Sequence, residues 1–284
     1  MADFVEINGA RLHYRLEGPA TAPLFITLHG GRGFGDHKSD FQAYSPLSDE
    51  YRVLSFDFRG HGLSSETEPY TFKQIVEDIE SMRIHFAGIE SQIVLCGGSF
   101  GGYLAQQYAI EYSSKVSHLI LRGTAPSYHH EEHVIRTLEE RLALAPCASR
   151  EMLVDGVFGS FKNDEEFRLV MFALGPLYSE SYKPDAALKK CLQTVYRSKT
   201  HNDLYSESEK YFDYRVRLPR ITAETLVIVG EKDWICTPDQ SRFIADGIPK
   251  ATLVVFPGAN HAVHIEKNAE VLEKIRQFLK ASTI

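Results

Sequence analysis

The sequence predicts an α/β fold: a mainly parallel sheet flanked by helices, with one long helical segment inserted. Three observations carry that reading. Short, nearly continuous apolar runs such as Leu24–Leu28 recur along the chain, and such runs mark strands covered on both faces. Amphipathic stretches of helical length separate them. The alternation stops near Thr124 and resumes at Thr225.

In order, the strand candidates are residues 5–8, 11–16, 24–28, 52–56, 93–96, 116–121, 225–229 and 252–256. Gly9-Ala10 separates the first two, which predicts a hairpin and so an antiparallel edge. Helix candidates are 71–86, 100–112, 238–247 and 266–279. From 124 to 219 the pattern reads as helical throughout. Val134, Leu138 and Leu142, then Phe167, Val170, Met171 and Leu174, recur at helical spacing. Pro146, Pro176 and Pro184 punctuate that stretch. The expected organisation is a core domain of residues 1–123 and 221–284, with residues 124–220 inserted as a helical cap.

Composition narrows the function classes. The 284 residues include 31 basic and 38 acidic side chains, for a net charge of −7, and 43% are hydrophobic. These are globular values, and a chain this long buries a core without disulfide or metal staples. Its acidity lacks the basic footprint of a nucleic-acid binder. No run approaches the roughly 18 apolar residues of a membrane span. The start, MADFVEING, lacks the order of a secretory signal. Cys96, Cys147, Cys191 and Cys236 show neither disulfide nor zinc spacing, and Cys96 sits in an apolar run as a core residue. The expectation is a cytoplasmic protein that acts on a small-molecule substrate without metal or cofactor. Oligomeric state is not legible.

The chemistry is concentrated at the ends of predicted strands. Gly97-Gly98-Ser99-Phe100-Gly101 fits G-x-S-x-G, between a predicted strand and a predicted helix. A serine on so sharp a turn needs small neighbours, and the turn lifts its hydroxyl above the sheet. The helix N-terminus beneath offers backbone N–H groups, with Phe100 N–H placed to meet an oxyanion. Ser99 needs a general base. His261 follows the last predicted strand directly, with His264 as the alternative. Asp233, after the 225–229 strand, is the orienting acid, with Glu231 competing. The chain order Ser99, Asp233, His261 agrees with a strand-turn-helix nucleophile.

His29-Gly30-Gly31-Arg32-Gly33 follows the third strand. Gly31 N–H is the expected second oxyanion donor, the Arg32 amide the alternative, and His29 a loop brace. The Arg32 side chain either meets a substrate carboxylate or carbonyl or points to water. Asp36 reads as a helix cap. Asp57 and Arg59 read as a structural ion pair or as backbone anchors.

These segments, with Asp57-Phe58-Arg59-Gly60-His61-Gly62-Leu63-Ser64, Gly230-Glu231-Lys232-Asp233-Trp234 and Gly258-Ala259-Asn260-His261, resemble those of α/β-hydrolases. Within that superfamily the chain resembles the proline iminopeptidase-like group along essentially its whole length, most weakly in the cap. The group's first loop usually reads HGGPG, and here Arg32 replaces the proline. Arg59-Gly60-His61-Gly62 resembles the wider esterase, lactonase and dehalogenase relatives. The resemblance implies a serine hydrolase that cleaves a small ester, lactone or amide through an acyl-enzyme, proline iminopeptidase being one case. The same triad also supports cleavage of a carbon–carbon bond in a diketone-like metabolite, or a slow-turnover ligand receptor. In iminopeptidases cap carboxylates hold the substrate amine, which implies Glu207, Glu209 or Asp213 here. Trp234 is a further candidate substrate contact.

Overall fold

The computed structural model describes residues 2–281. Its strands are β1 Ala2–Ile7, β2 Ala10–Glu17, β3 Leu24–Leu28, β4 Arg52–Phe56, β5 Ile93–Gly98, β6 Val116–Arg122, β7 Glu224–Gly230 and β8 Ala251–Phe256. They form one sheet in the order β1-β2-β4-β3-β5-β6-β7-β8. The pairs β1–β2 and β2–β4 are antiparallel and all others parallel. The first turn is Asn8-Gly9, with φ of 49° and 78°. Both residues tolerate the left-handed region that a two-residue hairpin requires, so Ala10 belongs to β2 and Asn8 leaves the strand.

The helices are α1 Lys38–Tyr44, α2 Phe72–Ala87, α3 Phe100–Glu111, α4 His130–Arg141, α5 Asp164–Leu174, α6 Pro184–Gln193, α7 Ser198–Leu204, α8 Pro238–Gly247, α9 Val263–Glu266 and α10 Asn268–Ala281. Thr71, read from sequence as helical, is the N-cap of α2, where its Oγ1 accepts the Gln74 N–H at 3.1 Å. Asp36 stands one residue before the N-cap of α1, His37, yet accepts the Lys38 N–H at 3.0 Å. The helix expected over 266–279 is α10, and the short α9, not expected from the sequence, precedes it across Lys267.

Strand pleating explains the continuous apolar runs. Ile26, Leu28, Leu54, Leu95, Leu121 and Val227 face one core with α2, α3 and α8. Phe25, Val53, Val94, Cys96, Ile120 and Ile228 face the other with α1, α9 and α10. Each such side chain contributes about 1.5–3 kcal/mol by leaving water. Cys96 is a core residue, and burial pushes its thiol up to about 12.

Between β6 and β7 the chain is less regular than its apolar pattern predicts. Helices α4 to α7 are joined by turns and loops, including a π-helical turn at Met152–Val157. Val134, Leu138, Phe167, Val170, Met171 and Leu174 form a third apolar cluster, closed from the β7 side by Trp234, Ile235 and Cys236. No helix of the described residues is long and apolar enough to cross a membrane.

The parallel strands point one way, so their carboxyl ends share one edge, where open α/β sheets bind ligands. Two buried polar anchors shape the loops there. Of the two roles expected for Asp57 and Arg59, the mutual ion pair does not form, whereas both do anchor backbone, Arg59 through the Thr67, Glu68 and Asn8 carbonyls. Arg59 reaches Asp78 on α2 with Nε and Nη2 at 2.6 and 2.8 Å. Asp57 instead accepts from His13 Nδ1 at 3.0 Å, His37 Nδ1 at 2.7 Å, and the N–H groups of His37 and Leu63. Burial alone would raise the Asp57 carboxyl, but the His13 and His37 hydrogen bonds hold it well below the usual range. The second anchor is His61. Its Nδ1 donates to the Arg59 carbonyl at 3.0 Å, and its Nε2 accepts the Gly33 N–H at 2.8 Å. It thereby ties the β4 loop to the β3 loop.

Burial pushes the His61 imidazole down to about 3. Its stabilisation is therefore complete above the unfolded-state value near 6.5 and is lost as pH falls toward the folded value. Urea unfolding between pH 6 and 4.5 should show wild-type stability falling by about 1.4 kcal/mol more per pH unit than that of His61→Gln. Equal slopes would contradict a neutral buried His61.

Candidate active site

β5 ends in Gly97-Gly98, and Ser99 follows with φ 52° and ψ −120°. A side-chain-bearing residue held in such a region costs about 1–3 kcal/mol, so its surroundings must impose it. Ser99 N–H donates to the Arg122 carbonyl at 3.0 Å. The Ser99 carbonyl accepts from Gly102 N–H and Thr124 Oγ1, each at 2.9 Å. A Cβ on Gly97 would strike the Gly101 carbonyl and one on Gly101 would strike the Leu28 carbonyl, so α3 docks on β5 because Gly97 is bare and beside the end of β3 because Gly101 is. Phe100 opens α3, where the first N–H groups have no partner within the helix.

Asp233 and His261 meet from the ends of β7 and β8. Asp233 Oδ2 lies 2.8 Å from His261 Nδ1. Asp233 Oδ1 accepts from Ile235 and Cys236 N–H at 3.1 and 2.9 Å, which fixes the carboxylate plane. An ionised carboxylate can only accept, so Nδ1 carries the proton and Nε2 is left as the basic nitrogen. His261 shares with Ser99 a cavity of about 440 Å³. Of the competing residues, Glu231 accepts the Gly258 N–H at 2.9 Å. His264 is buried against Tyr44, and burial holds its imidazole well below its ordinary value. It borders the cavity, but Asp233 bonds His261.

Gly31 and Phe100 border the same cavity as Ser99, and Gly30 packs against the serine so closely that a Cβ there would lie 3.0 Å from Ser99 Cβ. Gly31 has φ 91°, a conformation suited to glycine. His29 braces this loop as expected. Its Nδ1 contacts the Gly30 carbonyl at 2.8 Å, and its ring stacks on Phe58 at 4.1 Å.

Of the expected substrate contacts, the structure brings only Arg32 to the cavity. Glu207 is exposed and paired with Lys210 at 2.6 Å. Glu209 accepts the Phe72 N–H at 2.7 Å, and Asp213 pairs with Arg215 at 2.6 Å. Trp234 is fully buried in the third apolar cluster, next to Asp233 in sequence but turned away from the cavity lining. The cavity walls are instead aromatic, with Phe34, Phe158, Phe167, Tyr178, Tyr196 and Tyr205 among them.

Two features had no clear sequence signal. Gly123, at the end of β6 with φ 47°, leaves the space the Asp–His pair occupies. A Cβ there would stand 2.9 Å from Asp233 Oδ2 and 3.4 Å from His261 Nδ1. The second is a latch between the α5–α6 connection and the His261 loop. Asn260 Nδ2 donates to the Leu177 carbonyl and to Glu180 at 3.0 and 2.9 Å. Glu266 accepts from Ser179 Oγ, Glu180 N–H and Asn260 N–H at 2.6, 2.7 and 2.7 Å. His261 N–H in turn donates to Asn260 Oδ1 at 2.8 Å.

The comparisons agree with this architecture. Residues 23–268 match the family described as alpha/beta hydrolase fold. The chain belongs to that family and is a hydrolase. It is 63% identical, over 99% of its length and 100% of the relative's, to proline iminopeptidase PfmaB of Pestalotiopsis fici. It is 28% identical to a proline iminopeptidase of Saccharolobus solfataricus, over 97% of this chain and 91% of that one. Among solved structures, the enol-lactonase from Burkholderia xenovorans has a TM-score of 0.74 at 23% identity, covering 98% of this chain and 100% of that one. A meta-cleavage product hydrolase from Pseudomonas fluorescens has 0.76 at 19%, covering 99% and 98%. At those identities the likeness is one of fold.

Substituting Gly123→Ala should displace the Asp233–His261 pair. We expect kcat/KM for a nitrophenyl ester to fall about 100-fold, measured beside thermal unfolding to confirm a folded enzyme. Unchanged turnover in the folded variant would contradict the role assigned to this glycine.

Proposed function

We propose that this hydrolase releases N-terminal proline from peptides, with Ser99, His261 and Asp233 as its catalytic residues. The observation that carries the reading is the 2.8 Å Asp233–His261 bond beside the Ser99 turn, in a chain 63% identical to a relative named proline iminopeptidase.

Ser99 Oγ attacks the prolyl carbonyl while His261 Nε2 takes its proton. Asp233 keeps the imidazole in the required tautomer and stabilises the imidazolium. The tetrahedral oxyanion is met by the Phe100 and Gly31 N–H groups, donors fixed before the reaction begins. His261 then delivers the proton to the departing amine, and the shortened peptide leaves. A water, deprotonated by His261, attacks the prolyl ester and frees proline and Ser99. Residues 124–220 act as the cap over this site, and their aromatic side chains favour an apolar ring such as that of proline.

The test is release of 4-nitroaniline from proline 4-nitroanilide. Ser99→Ala should lower kcat by about 10⁶-fold and Asp233→Asn by about 10⁴-fold. Glu207→Gln should leave it unchanged, because Glu207 stands in solvent. Undiminished turnover in Ser99→Ala would overturn the mechanism, and failure of the wild type to cleave any prolyl anilide would overturn the substrate.

A further inference from the structure

Four arginines are buried among the described residues, and three of them have a carboxylate partner. Arg59 grips Asp78, Arg83 grips Glu80, and Arg122 contacts Asp40 at 3.0 Å. Arg32 is the exception. It is 4% exposed and takes part in no ion pair among the described residues. Its Nη1 donates to the Leu204 carbonyl at 3.3 Å, while its Nη2 is buried without a hydrogen-bond partner. A buried charge left unpaired is costly.

The guanidinium lies among aromatic rings. Its central carbon is 3.9 Å from the Tyr205 ring centroid and within 5.2–5.7 Å of those of Phe72, Tyr103, Phe212 and Phe100. Ring faces offset part of the charge and accept N–H groups far more weakly than an oxygen does. Two carboxylates stand in the neighbourhood and neither closes on it. Glu209 is engaged by the Phe72 N–H. Glu131 has an Oε1 that is itself buried and unpartnered, and burial pushes its carboxyl up to about 7, so much of its charge is missing at neutrality. The Arg32 backbone is fixed as well, since His201 Nδ1 lies 3.1 Å from its carbonyl. Arg32 is one of the residues lining the cavity that holds Ser99 and His261.

We propose that Arg32 is a carboxylate-binding residue of the active-site cavity, and that the preferred substrates are short prolyl peptides whose free C-terminal carboxylate it receives. The inference rests on the prolyl reading above, where the C-terminal carboxylate is the acid that every unmodified short peptide carries. A planar guanidinium with a free Nη donor suits a carboxylate. The surrounding rings give the peptide's side chain an apolar wall.

The experiment compares Pro-Phe and Pro-Phe-Gly as free acids with the same peptides as C-terminal amides, with proline released by wild type, Arg32→Met and Arg32→Lys as the readout. The wild type should favour the acids by about 10-fold to 100-fold in kcat/KM, mainly through KM. Arg32→Met should erase that preference by raising KM for the acids more than for the amides, and Arg32→Lys should restore part of it. Equal wild-type turnover of acid and amide would overturn the proposal without needing any variant. So would a loss in Arg32→Met that is the same for both, the mark of a packing role. If no peptide is cleaved, the prolyl reading fails. The Arg32 assignment is then decided by inhibition of nitrophenyl ester hydrolysis with 3-phenylpropionate. Inhibition lost in Arg32→Met would sustain the carboxylate site, and inhibition equal in both or absent from the wild type would overturn it.

Discussion

A backbone that L side chains avoid stands at the centre of this fold. Ser99 sits at φ 52° and ψ −120°, where a serine does not remain unless its neighbours leave no alternative. The constraint comes from the two elements it joins. β5 lies in mid-sheet between β3 and β6, and α3 packs against it with bare Gly97 at the contact. The next strand supplies the carbonyl of Arg122 to hold the Ser99 N–H. Rigid layers on both sides of the sheet thus hold one strained residue, and the strain leaves a hydroxyl standing at the carboxyl edge.

The same edge explains why so few residues suffice. Each parallel strand ends there, so the β3 loop, Ser99, Gly123, Asp233 and His261 converge although they are spread from residue 29 to residue 261. Neutral or internally compensated groups keep the loops in place. His61 is kept neutral by burial and joins two of them. Asp57 is satisfied by four donors. Against that background of settled charge, the unpaired guanidinium of Arg32 is the feature that looks unfinished without a ligand.

Much of this was legible in the sequence where the cause is local. The Gly97–Gly101 spacing, the histidine directly after the last strand and the aspartate directly after β7 each follow from what a strand end must do, and the structure brings Asp233 and His261 together. Partnerships decided by distant packing were not legible. Arg59 finds Asp78 on α2 instead of Asp57 two residues away. Trp234, next to Asp233 in sequence, turns into an apolar cluster built mostly from the inserted segment. The acidic residues near 207–213 resembled amine ligands by position, yet helix ends and neighbouring cations occupy them. Gly123 is silent in sequence because its role is the side chain it lacks.

The central claim is that the strained turn presents a reactive serine, activated across the sheet edge by His261 and Asp233. The most direct measurement is treatment of the folded protein with a fluorophosphonate, followed by mass spectrometry of its peptides. The account predicts one adduct, on Ser99, that forms far more slowly in His261→Ala and is absent from Ser99→Ala. A wild-type protein that stays unlabelled, or an adduct that persists when Ser99 is removed, would contradict it.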